Sequence, residues 1–82
     1  MSVEHDAAET LDVQGENCPM PVVKTKQAVD DLSTEEVLEV LATDPGSMSD
    51  IKGWAGSTAG IELVDQIESD GDVYKHYVRK TE

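Results

Sequence analysis

The sequence predicts a two-layer α/β (α+β) sandwich, a four-stranded mixed sheet with two helices on one face. Three observations predict it. The chain has 82 residues, which is one domain at most. Its hydrophobic period switches along the chain between about two and about 3.6, in the order β-α-β-α-β-β. Only 38% of the residues are hydrophobic, with no Phe and one Trp, so both helices must share one side of the sheet.

Each element has its own signal. Residues 1–8 lack periodicity and read as a flexible tail, leaving 9–82 as a single domain. Thr10-Leu11-Asp12-Val13 alternates polar and apolar, a short strand ended by Gly15. A helix follows from Pro19 to about Leu32, because proline suits a first helical position where an N–H is unpaired anyway. Val22, Thr25, Val29 and Leu32 give it one buried stripe. The second strand, over 36–42, puts Leu38, Val40 and Ala42 on one face. Val37 and Leu41 share the other face with Glu39, leaving a partly apolar open side.

Asp44-Pro45-Gly46 is a turn into a second helix, with Ser47 and Asp50 in a capping-box-like spacing. Met48, Ile51, Ala55 and Thr58 share its face beside Trp54, and Gly60 is its expected stop. Gly53 and Gly56 weaken it. The third strand covers 61–69, with Leu63 and Ile67 expected on one face. Asp70-Gly71-Asp72 signals a hairpin into a last strand over 73–79.

Composition excludes several function classes. Eighteen acids against six bases give a net charge of −12, a field that repels phosphate backbones and disfavours direct nucleic-acid binding. The acids are scattered, as on a solvated and halophile-like surface; steering of a basic partner is the other reading. One cysteine rules out an intrachain disulfide. One Cys with the distant His5 and His76 matches no zinc spacing, and no metal or cofactor is expected. No apolar run reaches the roughly 20 residues of a membrane span, and the acidic start is unlike a secretory signal. A soluble, cytoplasmic chain without membrane contact is the expectation.

Cys18 carries the chemistry. It directly precedes a helix, whose positive end and free N–H groups favour the nucleophilic thiolate. Pro19 and Pro21 supply no N–H but stiffen the frame, leaving Met20, Val22 and Val23 as donors. Lys24 and Lys26, a third of all the bases, either add positive potential at the sulfur or simply face solvent. A dithiol oxidoreductase needs a second cysteine, and position 21 holds proline instead. A cysteine protease needs a base and an orienting group, which neither histidine evidently supplies. A lone thiolate can accept a sulfur atom, hold it as a persulfide and pass it on. A small buried cysteine at a helix cap is the structural alternative.

The stretch Leu11-Asp12-Val13-x-Gly15-x-x-Cys18-Pro19-Met20-Pro21 resembles the C-P-x-P signature of the TusA/SirA family of small sulfur-carrier proteins. The resemblance continues through Leu38-x-Val40, Asp44-Pro45, Asp50-Ile51, Trp54, Gly60-x-x-Leu63, Tyr74 and Val78-Arg79-Lys80, from about residue 10 to 80. It implies the same β-α-β-α-β-β sandwich. It also implies a persulfide on Cys18, received from a cysteine desulfurase or another sulfurtransferase and passed to an acceptor protein, as in tRNA thiolation or cofactor sulfuration. Glu16-Asn17 departs from the basic or apolar residue that often precedes the family cysteine. The rival readings are a regulatory or protein-interaction module built on the C-P-x-P loop, and a thiol redox switch. Asp44, Ser47 and Asp50 form the next cluster, which plain helix-start chemistry explains. His76, among Tyr74, Tyr77 and Val78, is expected to pack on the sheet.

Overall fold

The computed structural model describes residues 7–17, 20–69 and 71–82. Their elements run β1 (Glu9–Val13), α1 (Met20–Asp30), β2 (Val37–Ala42), α2 (Ser47–Ser57), β3 (Ile61–Ser69) and β4 (Val73–Lys80). One mixed sheet of order β1-β2-β4-β3 results, with β1 parallel to β2 and the other neighbours antiparallel. The predicted sandwich is the observed one, and each element lies within a residue or two of its expected span. Of the expected tail over 1–8, residues 1–6 fall outside the described chain. Ala8 already donates its N–H to the Val37 carbonyl at 2.8 Å, extending the pairing of β1.

Both helices bury their stripes against the same sheet face. Val29 of α1 and Ile51 of α2 close over Val13, Leu38, Val40, Ala42 and Val78, all nearly or fully buried. Thr25 is buried within the α1 stripe because its hydroxyl donates to the Pro21 carbonyl at 2.6 Å. Leu32 joins the core from beyond the end of α1, where Lys80 Nζ donates to the carbonyls of Asp30 (3.3 Å) and Leu32 (2.9 Å). That cation satisfies orphan carbonyls at the negative end of the helix.

Three local expectations are corrected. A register shift between Leu63 and Asp65 makes β3 irregular, so Leu63 pairs with Val78 on the helix side while Ile67 pairs with Lys75 on the open side. Leu63 and Ile67 therefore do not share a face; one extra residue flips everything after it. Gly60 is not the helix stop, since α2 ends at Ser57 with extended Thr58 as its cap. Gly60 instead takes φ +84° in the turn into β3, where its carbonyl accepts the N–H of Thr81 at 2.8 Å. The capping box is absent: Gly46 occupies the N-cap of α2 and no side chain caps it.

On the open face, Tyr77 is buried and donates to Glu39 Oε2 at 2.7 Å. Thr10 donates to the other oxygen of that carboxylate at 3.1 Å. Burial, the hydrogen bond to Glu39 and the charges of Glu39 and Asp65 hold the Tyr77 phenol well above its usual range.

Candidate functional site

The parallel strands β1 and β2 both feed a helix from the same edge of the sheet, so α1 and α2 begin side by side. The loop after β1 is built by short-range bonds. Asp12 Oδ1 accepts the N–H of Gln14 at 3.0 Å, and the Val13 carbonyl accepts that of Glu16 at 3.2 Å. Gly15 has φ +84°, a left-handed conformation that glycine adopts without strain. Its N–H reaches across to Thr43 Oγ1 at 2.8 Å, tying the loop to the end of β2.

Cys18 and Pro19 lie outside the described residues, and their neighbours frame the site. Asn17 accepts the N–H of Met20 at 2.9 Å, which closes the entry to α1. That bond occupies the Met20 donor, and Pro21 has none, so two first-turn positions offer the site no free N–H. Pro21 is fully buried as the second residue of α1, a rigid anchor under the helix start. Lys24 forms an ion pair with Glu16, bridging the helix back over the loop. The structure thus couples the two opposite charges nearest Cys18 in sequence. Lys26 is exposed two residues on, about 200° around the helix, and lines a cavity of about 160 Å³ with Trp54, Thr58 and Lys80. That cavity lies toward the far end of α1, away from the residues flanking Cys18. No acid occupies the first turn of α1, so its positive end is not neutralised from within the helix.

The Asp44–Ser47–Asp50 cluster is a helix start of a different kind. Asp44 Oδ1 accepts the N–H of Gly46 at 3.1 Å, and the Asp44 carbonyl accepts that of Ser47 at 2.9 Å. Ser47 is buried and its hydroxyl faces His76 Nε2 at 3.1 Å. His76 is buried on the helix side, as its sequence neighbours suggested, opposite Val40 and Gln66. Gln66 Nε2 donates to the Met48 carbonyl at 2.8 Å and lies 3.1 Å from His76 Nδ1. A carbonyl can only accept, so the amide nitrogen must face it, and Nδ1 must accept the other amide hydrogen. The ring proton then sits on Nε2 and is donated to Ser47. Burial pushes the His76 pKa down to about 4, so the ring is neutral. Gln66 was not singled out from the sequence, because only the irregular register of β3 brings it opposite His76. His5 lies outside the described residues.

Comparison with known proteins now bears on these features. Residues 9–80 match the family model described as sulfurtransferase TusA. A candidate sulfur carrier protein of Halobacterium salinarum is 73% identical over 81 residues, covering 99% of both chains. The sulfur carrier protein TusA of Pseudomonas aeruginosa is 40% identical over 76 residues, covering 93% of this chain and 94% of its own. The crystal structure of the SirA-like protein of Desulfitobacterium hafniense superposes with a TM-score of 0.78 at 27% identity, covering 90% of this chain and 99% of that one. Among the described residues no helix is long and apolar enough to cross a membrane. With a family match that runs from the first residue of β1 to the last of β4, this chain belongs to the TusA/SirA family.

Proposed function

We propose that this chain is a cytoplasmic sulfur carrier that holds a persulfide on Cys18. The match of residues 9–80 to the sulfurtransferase TusA model carries the reading, because it includes the chain's single cysteine. The thiolate of Cys18 attacks the outer sulfur of a donor persulfide. The donor's S–S bond breaks, a new S–S bond forms on Cys18, and the donor thiolate leaves, with no net oxidation. An acceptor thiol repeats the same exchange on the outer sulfur and regenerates Cys18. The chain is then a stoichiometric carrier between a cysteine desulfurase or other sulfurtransferase and an acceptor in a relay such as tRNA thiolation or cofactor sulfuration.

The frame supports this task. The acid-free first turn of α1 favours an anionic sulfur, buried Pro21 and the Gly15–Thr43 bond hold the two sides of the site, and no second cysteine can discharge the persulfide. Incubation with a cysteine desulfurase and cysteine is expected to add one sulfur atom to Cys18, read by mass spectrometry and reversed by a reductant. Transferable sulfur on a Cys18→Ser chain would overturn the reading.

A further inference from the structure

One hollow of the molecule takes no part in the sulfur site. It lies between the second halves of α1 and α2 and the end of β4, away from the residues that flank Cys18, and its volume is about 160 Å³. Val29, Trp54 and Ile61 form its apolar wall, Val29 as a core residue and the other two packed against the core. Four charged residues complete the lining, two of each sign: Lys26 and Asp30 on α1, Lys80 at the end of β4, and Glu82 two residues beyond it.

These four charges do not neutralise one another. Among the described residues, the Lys26 ammonium and the carboxylates of Asp30 and Glu82 form no ion pair and no hydrogen bond. Lys26 and Asp30 stand four residues apart with the lysine first, the weaker order for a pair along a helix. Lys80 commits two of its three ammonium hydrogens to the carbonyls of Asp30 and Leu32, not to the Asp30 carboxylate, and keeps the third. Glu82 is placed by Gly60, which has φ +84° and no side chain, so that the Glu82 stem lies where a Cβ would stand only 3.3 Å from it. The Thr81 N–H, donated to the Gly60 carbonyl at 2.8 Å, fixes the same approach. The hollow is thus walled by carbon and lined by uncommitted charge of both signs.

We propose that this hollow binds a free α-amino acid with an apolar side chain, its carboxylate toward Lys26 and Lys80, its ammonium toward Asp30 and Glu82, and its side chain against Trp54. The field of the whole molecule favours a zwitterion. A net charge of −12 opposes an anion and draws a cation to acidic patches all over the chain, so neither is selected at one place. A zwitterion has no net charge, and only a site that offers both signs at short range selects it. Size sets the side chain: a cavity of about 150 Å³ holds one benzene molecule, so the apolar part of the ligand is that of leucine or methionine. Cys18 plays no part in this binding, which is independent of the sulfur-carrier reading.

Trp54 is the chain's single tryptophan, so its fluorescence and its indole N–H signal in nitrogen-15 NMR read the hollow directly. The ligands are L-leucine and L-leucinamide, in the lowest salt that keeps the chain folded by circular dichroism. Leucinamide keeps the ammonium and the side chain but has a neutral amide in place of the carboxylate. Its net positive charge suits the acidic chain, so weaker binding can come only from the lost carboxylate contacts. L-leucine is expected to shift both signals saturably at about millimolar concentration, and leucinamide to bind at least about fivefold more weakly. Lys26→Gln should weaken leucine by a similar factor and leave leucinamide unchanged, a difference that loss of fold cannot produce. Asp30→Asn should weaken both ligands, since both carry the ammonium. No saturable shift of either signal with L-leucine, leucinamide binding as tight as that of leucine, or an equal loss of both ligands in Lys26→Gln would each overturn the proposal, as would an Asp30→Asn chain that binds both as before.

Discussion

The junctions from β1 to α1 and from β2 to α2 have the same topology, parallel strand to helix on the same sheet edge, and opposite chemistry. At the second, the chain satisfies its own helix start. Asp44 receives the N–H of Gly46 and of Ser47, Asp50 sits in the first turn, and Ser47 is buried against the His76–Gln66 pair. Two carboxylates already stand near the positive helix end, which leaves an incoming anion nothing to gain. At the first junction there is no acid in the opening turn, Pro21 is buried within it, and the loop carboxylate of Glu16 is engaged by Lys24. Identical backbone wiring is thus divided by side chains into a structural corner and the one to which the proposed function assigns the reactive sulfur.

The largest expected effect tests that division directly. Cys18→Ser should abolish sulfur loading while leaving the denaturant midpoint close to that of the wild type, since it exchanges one small side chain for another of nearly the same shape. His76→Leu should do the reverse. It leaves the Ser47 hydroxyl and a Gln66 hydrogen facing an apolar side chain, each such group costing about 1–3 kcal/mol. A loss of about 3 kcal/mol in denaturant unfolding is expected, with Cys18 loading per folded molecule unchanged. A His76→Leu chain that keeps its stability and loses its loading would reverse the roles assigned to the two corners.

Acid probes the same contrast more gently. The folded pKa of His76 is lowered to about 4, against 6.5 for the free side chain. Below pH 6.5 the unfolded chain takes up a proton that the folded chain refuses, so stability falls as the pH drops. The loss begins near pH 6.5, is complete only below pH 4, and amounts to about 3 kcal/mol. Above pH 6.5 the histidine imposes no penalty. Because eighteen carboxylates begin to titrate in the lower part of this window, the relevant quantity is the difference between wild type and His76→Gln. Parallel pH profiles for the two chains would remove His76 as the acid-sensitive element.

How far each corner was legible in the sequence follows from the range of the forces that build it. Period and turn chemistry act over a few residues, so the six elements, the core residues Val29, Leu38, Val40 and Ile51, and a helix beginning at about Met20-Pro21 could all be read directly. The contacts that separate the two corners span larger gaps. Glu16 meets Lys24 eight residues on, Gly15 meets Thr43, and Ser47 meets His76. Ser47 and Asp50 had the spacing of a capping box, yet the Ser47 hydroxyl turned to a buried imidazole, a partner set by sheet order rather than local sequence. The irregular register of β3 was equally hidden, because Val64 looks like any other strand residue. Its consequence is large, since it carries Ile67 to the open face and Gln66 to His76.

The smallest expected effect concerns the Glu16–Lys24 pair. Glu16→Gln should free the Lys24 charge and lower the Cys18 pKa by a few tenths of a unit at low salt, and Lys24→Gln should free Glu16 and raise it by a similar amount. The double substitution should return the pKa to the wild-type value, because a coupled pair presents almost no net field. The cost in stability should be small throughout, about 0–1 kcal/mol for a partly exposed pair. Near 1 M salt, where charges are screened within about 3 Å, all four chains should titrate alike. Their common pKa should still lie below the unperturbed value of about 8.5, because the short-range dipoles of the α1 start are poorly screened. Asp50→Asn, at the other corner, should leave the Cys18 titration where it was. Thiolate absorbance at two salt concentrations reads all of these. A double substitution that raises the pKa as far as Lys24→Gln alone would mean that Lys24 acts on the sulfur despite its partner. The reactive corner would then owe its character to a side-chain cation rather than to the unneutralised end of α1.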